Sequence, residues 1–170
     1  CVRWLKSTFF FSRVRKNPQK YAIKGTTEHE LEEYLLETCK KALADLEAAK
    51  IIDIREDRST VLPNVASHVM SYHLVDFASM KLFMSLPHDS GPVQILHVLA
   101  QCGELQHPIR RSEKNALNAV HKVVKYKLDQ DFKFRVQTPS QKAFILLQAS
   151  IGQHFLEDFS LRQEMTQIVD

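Results

Sequence analysis

The four glycines are the first residues whose spacing bears on ligand chemistry. A loop that cradles phosphates needs closely spaced glycines, so that backbone N–H groups can approach the phosphate oxygens. Gly25, Gly91, Gly103 and Gly152 are isolated, and none of them precedes Lys-Ser or Lys-Thr. The pattern therefore predicts that this chain binds no ATP in the Walker manner and carries no cofactor of its own.

The histidines and cysteines form no pattern typical of a metal centre or a catalytic site. His29-Glu30 resembles the start of a zinc-protease helix, but the second histidine is missing. His68 and His73 have no third ligand nearby, and no nucleophile-elbow glycines place a serine or cysteine beside a base. We therefore predict no metal site and no catalytic residue.

Cysteine usage and hydropathy indicate the compartment. Cys1, Cys39 and Cys102 are odd in number and far apart, which favours free thiols in a reducing environment. No apolar run approaches the roughly 20 residues that a transmembrane helix needs. The chain is accordingly expected to be an intracellular protein that does not enter a membrane.

A polar stripe is predicted on a helix that begins near Ser112. Four of its residues are spaced by four, three and four positions, with Lys122 beside them: Lys114, Asn118, His121 and Lys125. Such a stripe can follow a phosphate backbone, because each lysine that neutralises a phosphate releases a counterion. The alternative is an ordinary solvated helix face, since exposed lysines are common on soluble helices.

The amino-terminal segment is a second basic feature. Residues 1–27 contain seven Lys or Arg and no acid, and Arg13, Lys16 and Lys20 lie close to Trp4 and to the phenylalanines at positions 9–11. Bases of a single strand stack on aromatic rings within a basic groove. Helical spacing explains the same rings as core residues, so both interpretations stay open.

Residues 28–50 reverse the sign of the charge. They contain seven acids and three lysines, hence a net charge of −4. Phosphates would repel this segment, so we predict that its helix packs against protein and does not enter a DNA groove.

Residues 1–64 are predicted to form a winged helix. Leu5 and the phenylalanines at 9–11 have helical spacing, and Thr27 with Glu30 forms a capping box for a helix over 28–50. Short apolar runs at 51–54 and 60–62 flank a polar turn and predict a β-hairpin. The order helix, helix, hairpin is that of a winged helix.

Residues 65–170 are predicted to form a helical bundle, so the fold class is mainly α. Helices are expected over 65–86 and 93–105, from Ser112, from the capping box at Thr138, and from Ser160. The helix from Thr138 is apolar around most of its circumference and is therefore expected to be central. Its predicted buried residues are Phe144, Leu147, Ile151 and Phe155. Both ends of the chain are expected to be truncated, because no cap precedes Cys1 and the last helix is short.

Two stretches resemble a known family. The run from Trp4 to Phe10, followed by Arg13 and the residues from Arg15 to Tyr21, looks like a signature of the winged-helix domain in superfamily 2 helicases of the meiotic crossover type. Archaeal repair and spliceosomal RNA relatives share a looser form. The segments 72–83, 104–118 and 139–149 are similar to the helical ratchet domain of those helicases, so the resemblance covers essentially the whole chain.

The resemblance implies a non-catalytic accessory region of a nuclear, ATP-dependent DNA helicase in meiotic recombination. The winged helix would brace the RecA-like motor domains, which bind ATP and Mg²⁺ elsewhere in the parent protein, and the bundle would line a channel for single-stranded or branched DNA. The fragment alone would be inactive. Ser67 replaces a usual glycine and Ala78-Ser79 a usual Glu-Thr, so local packing there is expected to differ.

Two other functions remain open. The first is a protein-interaction platform that recruits recombination proteins, or the equivalent cassette of a spliceosomal RNA helicase. The second is a free-standing winged-helix transcription regulator, which the acidic helix over 28–50 argues against. Arg110 and Glu113 lie three residues apart and are expected to hold helices together and not to contact DNA.

Overall fold

The computed structural model describes residues 1–23, 27–56, 60–129 and 134–169. It is mainly helical with one two-stranded sheet, as predicted. The chain divides into two compact units, Cys1–His68 and Val69–Asp170.

Within the described ranges, no helix is both long and apolar enough to cross a lipid bilayer. The elements, in chain order, are α1 (Val2–Leu5), α2 (Phe9–Lys16), α3 (Glu28–Ala48), β1 (Ile52–Ile54), β2 (Val61–Pro63), α4 (Val65–Tyr72), α5 (Phe77–Met84), α6 (Pro92–Leu99), α7 (Lys114–Val123), α8 (Pro139–Ile151) and α9 (Phe159–Val169), with 3-10 turns at Pro18–Tyr21 and Gly103–Leu105.

The first unit is organised by the acidic helix α3. The predicted capping box is confirmed, because the Thr27 side chain accepts a hydrogen bond from the Glu30 backbone N–H while the Glu30 carboxylate accepts one from Thr27. Leu31 of α3 is buried against Val14 of α2 and Ile23. One apolar face of α3 is therefore covered, and its acids remain at the surface.

The predicted hairpin is confirmed. Strands β1 and β2 pair antiparallel, with Ile52 opposite Pro63 and Ile54 opposite Val61. Ile51 and Ile52 are buried, whereas Val61 and Leu62 are exposed. One strand therefore contributes to the core of this unit, and the other forms its solvent-facing edge.

The single helix predicted over 65–86 is wrong. The chain forms two helices instead, α4 and α5, separated near Leu74, whose φ of 53° lies in the left-handed region. The Val75 N–H donates to the Met70 carbonyl, which closes the end of α4 as a Schellman-type cap. Asp76 then begins α5 by accepting a hydrogen bond from the Phe77 N–H. The chain therefore changes direction between α4 and α5, although no glycine or proline near Leu74 indicates a helix end.

Two further helices are shorter than predicted. The segment 2–16 is interrupted between α1 and α2, where the Ser7 and Thr8 hydroxyls bond back to the Trp4 and Leu5 carbonyls. The segment 93–105 ends its α-helix at Leu99 and continues only as a 3-10 turn. In the first case, local side-chain hydrogen bonds compete with the helical ladder.

The core of the second unit forms around α8, as predicted from its apolar circumference. Its residues from Lys142 to Ala149 are all buried. Ile145 and Leu146 pack against Leu117 of α7 and Leu161 of α9, while Phe144 and Leu147 form a second cluster with Leu96 of α6. Helices α6, α7 and α9 are therefore all positioned by one central helix.

The prediction that four residues of this helix are buried is only half right. Phe144 and Leu147 are buried, but Ile151 is 73% exposed and Phe155 is 77% exposed. The reason is that α8 ends at Ile151, where Gln153 adopts a φ of 52° and the His154 N–H donates to the Ala149 carbonyl. The apolar residues beyond that point no longer follow the buried face.

Candidate nucleic-acid interface

Three of the predicted lysines lie on one exposed stretch of the second unit. Helix α7 buries Leu117 and Val120, so Lys114 and Lys122 are left at the surface, and Lys125 follows just after the helix ends. Within the described part of the chain, no ion pair or hydrogen bond occupies the three ammonium groups. The Lys125 ammonium lies 5.2 Å from the centre of the Tyr126 ring. We refer to Lys114, Lys122 and Lys125 as the lysine surface.

The other two members of the predicted stripe have structural partners. The Asn118 side chain is half-buried and accepts a 3.0 Å hydrogen bond from the Val136 N–H. His121 is buried, and its Nε2 accepts a 3.0 Å hydrogen bond from the Leu128 N–H. Backbone N–H groups of an irregular segment need such acceptors because no helix or strand satisfies them. The exposed polar stripe is therefore interrupted at Asn118 and His121, whose side-chain acceptors are used within the unit.

The electrostatic environment of His121 agrees with its role as an acceptor. Burial lowers the pKa of His121 below its ordinary value, and the nearby Lys127 charge lowers the pKa further, against an opposing effect of Asp129. The Phe134 ring packs 4.7 Å from the imidazole ring. A neutral, buried imidazole has no charge with which to attract a phosphate.

Lys127 is a residue whose role the sequence reasoning missed. Its ammonium donates hydrogen bonds to the carbonyls of His121 at 3.0 Å and of Lys122 at 2.7 Å, and it also bonds to the Val124 carbonyl. A cation at the carboxyl end of a helix satisfies the last carbonyls and interacts favourably with the helix dipole. Lys127 therefore ends α7 and is not part of the lysine surface.

The amino-terminal basic residues lie in the first unit. Arg13 and Lys16 are one turn apart on α2, Lys20 lies in the following 3-10 turn, and all three are exposed. Lys6 forms an ion pair with Glu32 of α3, so this cation of the same segment is already engaged. Arg13, Lys16 and Lys20 form a second basic group, which belongs to the first unit, whereas the lysine surface belongs to the second.

The aromatic rings of this segment divide between core and surface. Phe10 lies 5.7 Å from the Tyr21 ring and 6.4 Å from the Tyr34 ring, and it packs against the buried cluster of the first unit. In contrast, Trp4 is 69% exposed and Phe9 is 90% exposed. The core interpretation therefore holds for Phe10, while Trp4 and Phe9 are free to contact other molecules.

A buried ion network fixes the helices behind the lysine surface. The Lys142 ammonium of α8 lies 2.6 Å from Glu113 and 2.5 Å from Glu164 of α9, and it donates a 3.0 Å hydrogen bond to the Pro108 carbonyl. Arg110 also pairs with Glu164, at 3.2 Å. The expectation that Arg110 and Glu113 hold helices together is confirmed. Because Glu113 immediately precedes α7, this network determines where the lysine surface begins.

Two observations on the described residues bear on metal and thiol chemistry. Across them, no group of three or more His, Cys, Asp or Glu side chains is arranged to hold a metal ion. Burial raises the pKa of the Cys102 thiol, an effect that the charge of Glu104 reinforces and a hydrogen bond with Ser79 opposes. Such a thiol is a poor nucleophile, because the thiolate is the reactive form.

Two families match the chain. Residues 63–170 match the Sec63 Brl domain, and residues 1–56 match a winged helix-turn-helix domain. The predicted winged helix followed by a helical bundle is thereby confirmed.

Individual relatives are helicases. The probable ATP-dependent DNA helicase HFM1 of Mus musculus is 28% identical over 172 residues, which cover 97% of this chain and 12% of that protein. The ATP-dependent DNA helicase homolog MER3 of Arabidopsis thaliana is 27% identical over 177 residues, covering 98% of this chain and 16% of that protein. The U5 small nuclear ribonucleoprotein 200 kDa helicase of Homo sapiens is 29% identical over 153 residues, which cover 89% of this chain and 7% of that protein. The chain thus spans less than a fifth of each relative.

Proposed function

The chain belongs to the Sec63 Brl domain family, and from this we propose that it is a non-catalytic accessory region of an ATP-dependent DNA helicase acting in meiotic recombination and crossover formation. The parent protein would act in the nucleus and bind ATP and Mg²⁺ through RecA-like motor domains. In this proposal a winged-helix domain over residues 1–64 braces the motor, and a ratchet-type bundle over 65–170 lines the single-stranded DNA channel.

The lysine surface is the observation that carries the DNA-binding part of the proposal. Lys114, Lys122 and Lys125 project from a helix and turn whose inner side is held by a buried core. Cations without an acidic partner are available to displace counterions from phosphates, which gives affinity without base readout. A rigid support also means that few conformations are lost when a strand binds.

The acidic face of α3 supports the bracing role. Glu33 and Glu37 are exposed on this helix, and the whole 28–50 segment carries a net charge of −4. Such a face repels a phosphate backbone and suits a basic protein surface. We propose a surface of the motor domains as that partner.

A second candidate function, a protein-interaction platform, is favoured by one exposed apolar group. Ile151, Phe155 and Phe159 are each more than 70% exposed, and the Arg162 guanidinium lies 5.4 Å from the Phe155 ring and 5.8 Å from the Phe159 ring. Exposed aromatics with arginine are enriched at protein interfaces. Recombination proteins would be the partners, or spliceosomal proteins if the parent is an RNA helicase.

Fluorescence anisotropy with a labelled single-stranded oligonucleotide at low salt tests the proposal. We expect weak binding by the chain and a uniform loss across sequences when Lys114, Lys122 and Lys125 are replaced by Glu. The matched control replaces the exposed Lys40, Lys41 and Lys50 by Glu, because this changes the net charge equally within the acidic segment. No binding, or equal losses in the two variants, would refute the DNA-channel role and favour the interaction platform.

A further inference from the structure

A cavity of about 560 Å³ opens beside Lys125 in the second unit. This volume lies within the range of roughly 300 to 1,000 Å³ that is usual for small-ligand sites. Helix α6 forms one wall, and the segment after α7 together with the end of α8 forms the other. Its lining includes Ile95, Leu96, Leu99, Lys125, Tyr126 and Gln148.

The walls of this cavity are mainly aliphatic and aromatic. Ile95, Leu96 and Leu99 present aliphatic surface, and Tyr126 adds one aromatic ring. The polar ends of Gln148 are already engaged, because its Oε1 accepts from the Tyr126 N–H at 2.8 Å and its Nε2 donates to the Tyr126 carbonyl. Ser90 and His154 also line the cavity, and the Ser90 hydroxyl already donates to the Pro87 carbonyl. Most of the lining is therefore apolar, and the interior suits a flat apolar group.

The charge at the rim selects the kind of ligand. Lys125 lines the cavity, and none of the lining residues carries a carboxylate. Another cavity of the same unit, of about 440 Å³ and lined by Val75 and Phe83, includes the Glu104 carboxylate, which would repel an anion. A flat apolar group that is attached to an anion fits the cavity beside Lys125 and not the one beside Glu104.

We propose that this cavity accepts an unstacked base of a single-stranded nucleic acid while Lys125 pairs with the adjoining phosphate. The inference rests on the proposed function and deepens it, because it adds a base contact to the purely ionic lysine surface. Stacking on a ring and on aliphatic walls tolerates every base, so the contact adds affinity without sequence preference.

The test compares two labelled strands of about 15 nucleotides, oligo-dT and the same backbone with abasic sites throughout, titrated into the full chain. Both strands carry equal charge, so the lysine surface binds them alike. A base in the cavity should make the oligo-dT strand bind about tenfold more tightly, from one well-stacked base. Equal affinities would overturn the inference while leaving the proposed function intact.

A matched pair of variants on α6 locates the contact. Ile95 lines the cavity and Val93 does not, although their exposures, 42% and 37%, are similar. Ile95→Gln removes apolar wall without changing charge and should reduce the oligo-dT preference several-fold, whereas Val93→Gln should preserve it. Equal behaviour of the two variants would overturn the placement, and absence of binding to both strands would refute the proposed function together with the inference. The comparison of oligo-dT with the abasic strand uses the unaltered chain, so it remains valid even if one of the variants fails to fold.

Discussion

Replacing Lys142 by methionine tests whether the buried ion network holds the second unit together. The Lys142 ammonium lies within 2.6 Å of Glu113 and 2.5 Å of Glu164, and Lys142 is 1% exposed. Methionine fills similar space but leaves two buried carboxylates without this cation. Breaking a buried ion pair from one side costs about 3 to 5 kcal/mol, because the remaining charge stays desolvated. We expect Lys142→Met to lower the free energy of unfolding by that amount.

Two further variants separate this effect from general loss of packing. Arg110 pairs with Glu164 as well, but its side chain is 53% exposed, so Arg110→Met should cost less than about 1 kcal/mol. Adding Glu113→Gln to Lys142→Met should recover about 1 to 2 kcal/mol, since a buried neutral amide costs less than an unpaired carboxylate.

Urea unfolding followed by circular dichroism measures all three variants, and the free energies come from linear extrapolation. The reasoning fails if Lys142→Met loses less than about 1 kcal/mol, or if Arg110→Met costs more than Lys142→Met.

Three other predictions concern the same unit. Leu147→Ala should lower the free energy of unfolding in urea by about 2 to 5 kcal/mol, because Leu147 is buried. Ile151→Ala, at an exposed position, should lower it by less than about 1 kcal/mol. Similar losses in the two variants would contradict the burial pattern. Burial keeps the folded-state pKa of His121 below its ordinary value in the unfolded chain, so its contribution to stability is present above the unfolded pKa and is lost as the pH falls through the folded pKa. Unfolding free energies at about pH 7.5 and 5.5 should therefore differ less in His121→Gln than in the wild type or in a variant with the exposed His88 replaced by Gln. Gln153→Gly should raise the thermal midpoint slightly, since glycine adopts the φ of 52° without strain, and a clear fall would count against the strain argument.

Elements with local side-chain chemistry could be predicted from the sequence. The capping boxes at Thr27 and Thr138 each place a hydroxyl and a Glu or Gln three residues apart, and both are present in the structure. The hairpin pairs as its apolar runs indicate. In each case the pattern and the contact lie within a dozen residues of each other, so no knowledge of the tertiary fold is required.

Helix ends that use ordinary residues could not be predicted. Leu74 and Gln153 adopt left-handed φ values at the ends of α4 and α8, although neither is a glycine or an asparagine. Tertiary packing decides where these chain reversals occur, and it outweighs roughly 1 to 2 kcal/mol of local strain at each residue. The exposure of Ile151 and Phe155 follows directly from the second reversal.

The sequence indicated which residues belong to the candidate site, but it did not indicate which groups their side chains bond to. Lys114, Asn118 and His121 share helical spacing in the sequence, but only the structure shows that Asn118 bonds to Val136, 18 residues away. Likewise, helical spacing placed Lys142 on an apolar helix without indicating that two carboxylates from other segments surround it. Whether a polar side chain faces solvent or accepts a hydrogen bond from a distant N–H depends on long-range contacts, which no local sequence pattern indicates.

The salt dependence of single-stranded DNA binding tests the central claim most directly. Each phosphate neutralised on a single strand contributes about 0.7 to the slope of log affinity against log salt concentration. If Lys114, Lys122 and Lys125 each contact one phosphate, their replacement by Glu should reduce the magnitude of that slope by about 2. The control with Lys40, Lys41 and Lys50 replaced by Glu should keep the wild-type slope. A triple variant of the lysine surface whose slope equals that of the wild type would contradict the account.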